Sequence, residues 1–465
     1  MPVFLHDTMS REKRPLLPKP GRDVYGMYCC GPTVYGPAHI GNFRTFTVQD
    51  VLRRTLEVGG LKVKHVRNIT DVDDKTIRGA QAAGQTLGDF TKKWTDKFHA
   101  DCQALGLLTP HVEPSAVVHI PQQVAMIKAL VDRGHAYVAK DGSVYFKVCS
   151  CPDYGKLNHI DFSKLETQSE NSAGEANDAD EYERESASDF ALWKSRKPED
   201  GANFWPSPWG EGRPGWHIEC SAMSLAHLGA TFDLHGGGID LCFPHHENEI
   251  AQSEGANGQP LAKVWMHNGF INIDNEKMSK SLGNFFTIRD VLKTYDAETV
   301  RFFVVRSHYR SPLNYSNVHL DDARGALKRM YTALHSVAAD AVTIDWTHPF
   351  AARFQSAMNE DFGTPEAVAV LFDLASEVNR SQSAALAGLL KALGGILGLL
   401  QGDPQSFLQS GSVLDDAAIQ LQIQARAAAK GAKNFAEADR IRQDLLVQGI
   451  ALKDSPTGTT WEASS

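Results

Sequence analysis

The stretch VYGMYCCGPTVYGPAHIGN, residues 24–42, decides how the fold is interpreted. VYGMYCC is typical of a short buried strand, and GPTVYGPAHIGN is rich in the glycine and proline that form turns. Apolar residues then recur near a 3.6-residue period until Gly59-Gly60, which predicts a helix, and a second strand-like run, LKVKHVRNI, follows at residues 61–69. A strand, a helix and a strand in this order predict a βαβ unit and therefore an α/β fold with a parallel sheet.

Length and composition are those of a multidomain globular protein. The chain has 465 residues, of which 42% are hydrophobic and 22% charged, so collagen-like, disordered and disulfide-scaffold classes are excluded. The net charge of −9 at first argues against a nucleic-acid partner. Residues 166–185 hold eight acids and one base, however, and contribute −7 of that charge. We expect this acidic tract to be a mobile solvated loop, and the remainder of the chain is close to neutral.

The cysteines and the N-terminus indicate the compartment. The seven cysteines do not follow a disulfide-like spacing, which favours a reducing environment. The N-terminus lacks the apolar segment of a signal peptide. A membrane span would need about 18 consecutive apolar residues, and the sequence contains no such run. We therefore expect a soluble cytoplasmic protein that does not bind membranes.

The turn before the first helix is a candidate phosphate site. Backbone amides at a helix N-terminus favour an anion. His39 is placed to donate to the charge that grows on an attacked phosphate, with Gly41 and Asn42 beside it. From these residues alone, a glycine- and proline-rich turn with an incidental histidine is an equally good interpretation.

A second candidate phosphate-binding segment is KMSKSLGN, residues 277–284. Lys277 and Lys280 are three residues apart, with Ser279 between them, and can neutralise a leaving pyrophosphate. Taken alone, the segment is also compatible with a solvated basic loop.

Together the two segments resemble the HIGH and KMSKS signatures of class I aminoacyl-tRNA synthetases, in the order expected on an α/β background. The resemblance implies attack of a carboxylate on the α-phosphate of ATP, with Mg²⁺ accompanying the nucleotide. It implies catalytic roles for His39, Lys277 and Lys280, and ATP binding by these residues together with Gly41, Asn42 and Ser279. Asn42 departs from the family, whose first signature ends in histidine in its type form, so His39 is the safer catalytic assignment.

A third set of residues indicates which amino acid is the substrate. Two thiolates, an imidazole and a carboxylate suit zinc, and the surroundings YCCGPTVY, GWHIECSAM and LHGGGIDLCFPHHENE resemble the cysteinyl-tRNA synthetase family from about Val24 to Trp461. The resemblance implies one Zn²⁺ per chain, and the corresponding ligand positions are Cys30, Cys220, His245 and Glu249. The residues alone leave a packed core thiol open for Cys30 and favour a buried structural role for Cys220.

The zinc gives a physical basis for choosing cysteine over serine. A pocket that reads only size and polarity separates the two poorly, whereas zinc binds a thiolate far better than a hydroxyl. Trp216 is a candidate wall of the amino-acid pocket, and Thr33 is a candidate ligand of the amino group; ordinary packing is the alternative for both.

Two other groups contain metal-ligand residue types, but a structural role is favoured for both. Cys149, Cys151 and His159 have a poor ligand spacing, and a loop role is expected. For the Mg²⁺ candidates Asp71, Asp73 and Asp74, capping and surface pairing are expected.

The remaining domain boundaries follow from composition and from the resemblance. The predicted segments are the first half of a Rossmann-like catalytic domain (1–121), an insertion (122–213), the second half (214–268), the KMSKS and stem-contact region (269–325), a helical bundle (326–412) and an anticodon-binding domain (413–465). In the last segment, Arg440, Arg442 and Trp461 are the candidate tRNA contacts, the tryptophan by stacking on an unpaired base.

The sequence therefore predicts a monomer that charges tRNA(Cys) with L-cysteine at the expense of ATP. One alternative is a related ligase that joins cysteine to an amino sugar, which would need no anticodon-reading extension. Another is a synthetase-like RNA-binding or regulatory protein without catalysis; intact His39, Lys277 and Lys280 argue against it.

Overall fold

The structure is a computed structural model that describes residues 2–160, 188–273, 276–277, 286–410, 414–455 and 458–463. The acidic tract 166–185, Ser279 and Lys280 lie outside the described residues, and only the backbone of Lys277 is described.

Fifteen strands and fifteen α-helices are present in the described residues. The strands are β1 Phe4–Asp7, β2 Glu12–Pro15, β3 Val24–Cys29, β4 Lys62–Arg67, β5 Ala136–Val138, β6 Val144–Phe146, β7 Phe190–Ser195, β8 Gly212–Pro214, β9 Phe232–Gly238, β10 Ala262–Asn268, β11 Ile271–Ile273, β12 Glu276–Lys277, β13 Leu313–Tyr315, β14 Ile450–Ser455 and β15 Gly458–Ala463. The helices are α1 Ile40–Val58, α2 Asp74–Ala82, α3 Leu87–Ala104, α4 Ile120–Asp132, α5 Trp216–Leu228, α6 Glu247–Asn257, α7 Ile288–Val291, α8 Ala297–Val305, α9 Asn317–Ser336, α10 Pro349–Asn359, α11 Thr364–Ser381, α12 Ala384–Ile396, α13 Pro404–Gln409, α14 Asp416–Gly431 and α15 Phe435–Val447.

The central sheet confirms the predicted βαβ unit. Its four strands are parallel and lie in the order β10-β9-β3-β4. α1 connects β3 to β4 and buries an apolar face that includes Phe43, Val51 and Leu56. It ends before Gly59, as the sequence predicts.

The order of the strands creates a crevice at one edge of the sheet. From β3 the chain passes through α1 to β4 on one side, and it returns to the other side of β3 only with β9, far along the sequence. In open α/β sheets, ligands bind outside the carboxyl ends of the strands where the order reverses in this way. Cys30 follows the end of β3, and Gly236 to Gly238 end β9, so both segments lie at this crevice.

The segment predicted as an insertion contains its own sheet. Strands β5 to β8 form an antiparallel sheet in the order β5-β6-β7-β8. It has a core of its own around Phe146, Leu192 and Trp193. The last strand leads directly into α5.

A small sheet connects the catalytic domain to the helical region. β11 pairs with β13 in parallel and with β12 antiparallel. Helices α9 to α13 follow, and their buried faces join the main hydrophobic core.

The C-terminal module has a separate core. Helices α14 and α15 pack against the antiparallel hairpin β14–β15. The core residues are Ile419, Ile423, Ile441, Leu445, Ile450, Leu452 and Trp461. In the part of the chain that the structure describes, none of the helices is both long and apolar enough to span a membrane.

Candidate active site

A cavity of about 360 Å³ opens at the carboxyl edge of the central sheet. Six of the residues predicted from the sequence line it: Cys30, Thr33, His39, Gly41, Asn42 and Trp216. The first five belong to the stretch between β3 and the first turn of α1, and Trp216 is the first residue of α5. The fold therefore brings the candidate phosphate-binding turn and the candidate amino-acid pocket into one cavity.

His39 is the N-cap of α1, and this fixes the state of its ring. The ring Nδ1 accepts from the backbone N–H of Asn42 at 3.3 Å, and the Asn42 Oδ1 accepts from the His39 N–H at 3.1 Å. Because a backbone N–H can only donate, Nδ1 is the acceptor, and the proton of the neutral ring lies on Nε2. Nε2 is thus a hydrogen-bond donor. Asn42, the departure from the type signature, completes a reciprocal capping box.

The turn after Cys30 is held by a buried polar chain. A Cβ atom at Gly31 would overlap the Asn68 carbonyl oxygen, so the close approach requires glycine. The Gly31 N–H donates to Asn68 Oδ1 at 2.9 Å, and Asn68 donates to Thr70 Oγ1 at 3.1 Å. Thr70 in turn donates to the buried Glu219 carboxylate at 3.0 Å. Thr33 lies opposite Thr70 in a short backbone bridge, so this chain also positions the candidate amino-group ligand.

The four predicted metal ligands form a buried cluster beside this turn. Their ligand atoms all lie within 4.8 Å of one another. The sulfur atoms of Cys30 and Cys220 are 4.0 Å apart, and Cys30 Sγ is 3.7 Å from Glu249 Oε1. His245 Nε2 is 3.0 Å from the same carboxylate oxygen.

Four separate elements deliver these side chains. Cys30 follows β3, Cys220 lies one turn into α5, and His245 lies in a turn that contains a cis peptide bond between Phe243 and Pro244. Glu249 is in the first turn of α6. Since two thiolates, an imidazole and a carboxylate are borderline-soft donors, the chemistry of the set fits zinc.

The charges of the cluster prepare it for a cation. Burial by itself would raise the pKa of Glu249, but His235 and His245 outweigh it and bring the pKa to about 2. A hydrogen bond from Cys30 lowers the pKa of the Cys220 thiol to about 6 against the opposing effect of burial. These shifts favour a carboxylate at Glu249 and a thiolate at Cys220. Burial lowers the pKa of His245, but Glu249 and Cys220 outweigh it and raise that pKa to about 10.

Three histidines that the sequence did not single out support the ligands. His245 Nδ1 lies 2.9 Å from His217 Nδ1, which leaves Nε2 facing the cluster. His235 Nε2 lies 2.9 Å from the second oxygen of Glu249. Metal ligands commonly have such hydrogen-bonded partners. His267, on β10, bonds His246 at 2.8 Å and Thr8 at 2.7 Å.

Cys30 and Glu249 also belong to a second group of potential ligands, with His235 and His246. The His246 Nε2 lies 3.4 Å from Cys30 Sγ. Because the two groups share two side chains, they form one continuous buried cluster. The sequence signal for the surrounding histidines is weak, since single histidines on strands are usually core residues.

Trp216 closes the site on the side of α5. Its ring stacks on His245 with the centroids 4.3 Å apart and an interplanar angle of 24°. It is also partly exposed and lines the cavity. Trp216 thus lies where the cluster and the cavity meet, and its role as a wall of the amino-acid pocket stays a prediction.

Comparison with known proteins places the chain in a family. Residues 19–325 match the family described as tRNA synthetases class I (C) catalytic domain, and residues 353–401 match the DALR domain. The chain is 61% identical to a cysteine–tRNA ligase of Acidovorax sp. (strain JS42) and 60% identical to that of Delftia acidovorans, over the full length of each protein. The chain belongs to the cysteine–tRNA ligase family of class I synthetases.

Solved structures show the same fold at low sequence identity. The Mycobacterium tuberculosis methionyl-tRNA synthetase in complex with methionyl-adenylate has a TM-score of 0.55 and 14% identity, covering 86% of this chain and 94% of that one. A leucyl enzyme of Agrobacterium radiobacter K84 has a TM-score of 0.55 and 13% identity, covering 84% and 85%. This ligase family therefore shares its architecture with other class I synthetases.

The candidate tRNA contacts of this ligase family member need one correction. Trp461 is only 4% exposed, and its Nε1 donates to Asp416 at 3.0 Å. It is a core residue of the C-terminal module and has no face for a base to stack on. Arg440 and Arg442 are exposed, but Arg440 pairs with Glu437 and Asp444 on its own helix.

Phe435 is an exposed apolar residue at the start of α15. The other large apolar residues of this helix include Ile441, Leu445 and Leu446. Ile441 and Leu445 are buried, whereas Phe435 is 62% exposed and Leu446 47%. Phe435 is the first residue of α15 and lies beyond the edge of a small core. It lies seven residues before Arg442, so both are on one exposed face.

The three aspartates make structural contacts, although Asp74 pairs with buried partners and not on the surface as predicted. Asp73 caps α2, and Asp74 pairs with Lys194 and Arg213. Asp71 accepts hydrogen bonds from Ser115 and from the Val117 N–H. Among the described residues, Cys149, Cys151 and His159 form no group that could hold a metal ion.

Proposed function

We propose that the chain joins L-cysteine to tRNA(Cys) in two steps. The cysteine carboxylate attacks the α-phosphate of ATP to give cysteinyl adenylate and pyrophosphate, and the 3′ end of the tRNA then takes the cysteine and releases AMP. The observation that carries the proposal is the buried cluster of Cys30, Cys220, His245 and Glu249, of which Cys30 lines the same cavity as His39.

The cluster is proposed to select cysteine. A zinc ion held by the four side chains would bind the substrate sulfur as a thiolate and discriminate against the serine hydroxyl. His217 and His235 orient His245 and Glu249, and Trp216 stacks on His245 at the edge of the cavity. We propose that Thr33 binds the substrate amino group, because its position is fixed by the Thr70 bridge.

The first turn of α1 is proposed to bind ATP. The positive end of the helix dipole, near Gly41 and Asn42, favours a phosphate. The Nε2–H of His39 donates to the charge that grows at the α-phosphate, and the cap through Nδ1 keeps that donor in place. Lys277 and Lys280 are proposed to neutralise the leaving pyrophosphate, Ser279 is proposed to bind ATP, and Mg²⁺ is proposed to accompany the nucleotide.

The C-terminal segment 413–465 is proposed to bind the anticodon end of the tRNA. Surfaces that bind unpaired nucleotides usually combine an exposed aromatic ring, which stacks on a base, with a basic side chain near the phosphates. Phe435 offers the ring, and Arg442 lies on the same face. We also infer that the protein is a cytoplasmic monomer. Sedimentation at micromolar concentration tests the monomeric state.

The test is cysteine-dependent exchange of pyrophosphate into ATP, followed by charging of tRNA(Cys). We expect exchange with cysteine, little exchange with serine, and charging of tRNA(Cys) but not of a tRNA for another amino acid. Metal analysis of the purified protein should give close to one equivalent of zinc.

The alternative, joining cysteine to an amino sugar, shares the activation step. The DALR domain and the C-terminal module favour tRNA as the acceptor. A protein that activates cysteine, ignores tRNA and couples the adenylate to an amino sugar would overturn the assignment.

A further inference from the structure

Arg44 is a buried cation held by backbone carbonyl groups. It lies in the second turn of α1, and only 1% of it is exposed. Its Nη1 donates to the carbonyl oxygen of Phe270 at 2.5 Å, and its Nη2 donates to that of Tyr309 at 3.1 Å. The Ser311 and His308 carbonyl oxygens also accept from Nη2. In the part of the chain that the structure describes, no carboxylate forms an ion pair with it.

The four carbonyl groups belong to two segments that support the Lys277 strand. Phe270 directly precedes β11, and residues 308–311 lead into β13. β11 pairs with both β13 and β12, and Lys277 is the last residue of β12. Arg44 therefore connects the helix that His39 caps to the sheet from which Lys277 extends.

The two segments also hold each other without Arg44. The Gly269 N–H donates to Tyr309 O, the Leu313 N–H donates to Phe270 O, and the Ser311 N–H donates to His308 O. Three of the four carbonyl groups thus keep a backbone donor if the arginine is removed. The local sheet therefore has backbone hydrogen bonds of its own, and Arg44 adds hydrogen bonds between it and α1, next to the one from Asn268 to Thr45.

We infer that Arg44 is a positioning residue, which sets the placement of the β11–β12 strands, and hence of Lys277, relative to His39. The inference rests on the proposed function, because it assigns Arg44 to the adenylate step. A planar guanidinium can reach four carbonyl groups from one side chain, which a single ammonium cannot match. A change of about 1 Å in the relative position of reacting groups can cost about 100-fold in rate.

The experiment compares Arg44→Met and Arg44→Lys with a control on the same helix, Arg53→Met. Arg53 is 9% exposed and donates to the Thr109 carbonyl at 2.7 Å, away from the β11–β13 sheet. Each full-length protein is measured for its melting temperature, its zinc content, its dissociation constant for cysteine and its single-turnover rate of adenylate formation per active site.

We expect Arg44→Met to lower the single-turnover rate by roughly 10- to 100-fold, with cysteine affinity and zinc content unchanged. Arg44→Lys should recover part of the rate. Arg53→Met should lower the melting temperature but keep the rate per active site within about twofold of the wild type. Equal rates for Arg44→Met and the wild type, or equal losses for Arg44→Met and Arg53→Met, would overturn the inference.

A second measurement does not depend on the reaction. Hydrogen–deuterium exchange of the peptides that contain residues 269–277 and 311–315 should be faster in both Arg44 variants than in Arg53→Met, with slow exchange retained in β3. Unchanged exchange in these peptides would also overturn the inference. A wild-type protein without cysteine-dependent exchange of pyrophosphate would instead contradict the proposed function, and this hydrogen exchange would still decide the role of Arg44.

Discussion

At the scale of single residues, the site combines two kinds of position. His39, Gly31 and Asn42 belong to one continuous stretch, and their roles follow from a turn that meets a helix N-terminus. Cys30, Cys220, His245 and Glu249 come from four elements that are far apart in the sequence. Spacing cannot reveal such a set, so only the resemblance to a known family predicted it.

The first prediction concerns Cys220. Since a serine hydroxyl is a much poorer zinc ligand than a thiolate, Cys220→Ser should reduce bound zinc well below one equivalent and weaken cysteine binding. Metal analysis and equilibrium binding check this. Cys102→Ser is the matched control, because Cys102 is also buried but lies outside the cluster. Full zinc retention by Cys220→Ser would remove Cys220 from the ligand set.

The second prediction concerns Lys280, which the resemblance places at the phosphates. The charge that it meets grows during the reaction, so Lys280→Ala should slow adenylate formation on the order of 100-fold while cysteine binding changes little. Rapid-quench kinetics and binding separate the two effects. Lys128→Ala, in an exposed ion pair with Asp132, is the control. A near-normal rate in Lys280→Ala would exclude Lys280 from the mechanism.

At the scale of elements, periodicity predicted the parallel strands and α1, because buried faces repeat with the period of the element. Periodicity failed in the C-terminal module, where the core is small. Trp461 and Ala463 alternate on β15 as buried residues, but a tryptophan so near the chain end suggested an exposed face. Phe435 continues the apolar pattern of α15 beyond the edge of the core that could cover it.

The third prediction tests the exposed face of α15. Base–aromatic stacking contributes about 1–3 kcal/mol, so Phe435→Ala should raise the KM for tRNA by roughly tenfold. Cysteine-dependent pyrophosphate exchange should not change. Steady-state charging over a range of tRNA concentrations measures the effect. Leu421→Ala is the matched control, since Leu421 is 66% exposed on the neighbouring α14. Equal KM values for both variants would contradict a contact at Phe435.

The fourth prediction concerns the attachment of α1 to α8. Asp50 on α1 pairs with Arg301 on α8, and both are buried. Burial by itself would raise the pKa of Asp50, but Arg301 and Arg54 hold it below its ordinary value. The ionised carboxylate therefore stabilises the fold above about pH 4, and this contribution is lost as the pH falls through the lowered pKa.

Asp50→Asn leaves the Arg301 charge buried and unpaired, which should cost about 3–5 kcal/mol at pH 7. The difference from the wild type should shrink as the pH falls below about 4. Urea unfolding at pH 7 and below about pH 4 measures this difference in the free energy of unfolding. Asp132→Asn, which breaks an exposed pair, should change stability by less than about 1 kcal/mol at either pH. A difference for Asp50→Asn that grows in acid would contradict the argument.

At the scale of the whole molecule, the order of domains was predictable because each has a distinct composition and pattern. The parallel sheet and the helices that follow it agree with the predicted fold class. The histidines around the metal cluster were not predictable, since His217, His235 and His267 meet only through the packing of α5, β9 and β10. The boundaries of the domains stay predictions.

The fifth prediction is a separation of activities. A chain that ends at Asp415 lacks the C-terminal module but keeps the sheet, the cavity and the cluster. It should still carry out cysteine-dependent pyrophosphate exchange at close to the wild-type rate. Charging should fall, mainly through weaker tRNA binding, which filter binding measures. Intact charging by this truncated chain would contradict an anticodon-reading role for the module.

The separate core of the C-terminal module also bears on how the protein changes over generations. Substitutions are tolerated while a cooperative unit stays above its own stability threshold. Because α14, α15 and the terminal hairpin bury their own apolar residues, a destabilising substitution there lowers mainly the free energy of unfolding of the module itself. Drift in the exposed surface of this module, for which we propose tRNA binding, can therefore proceed without lowering the stability of the central sheet.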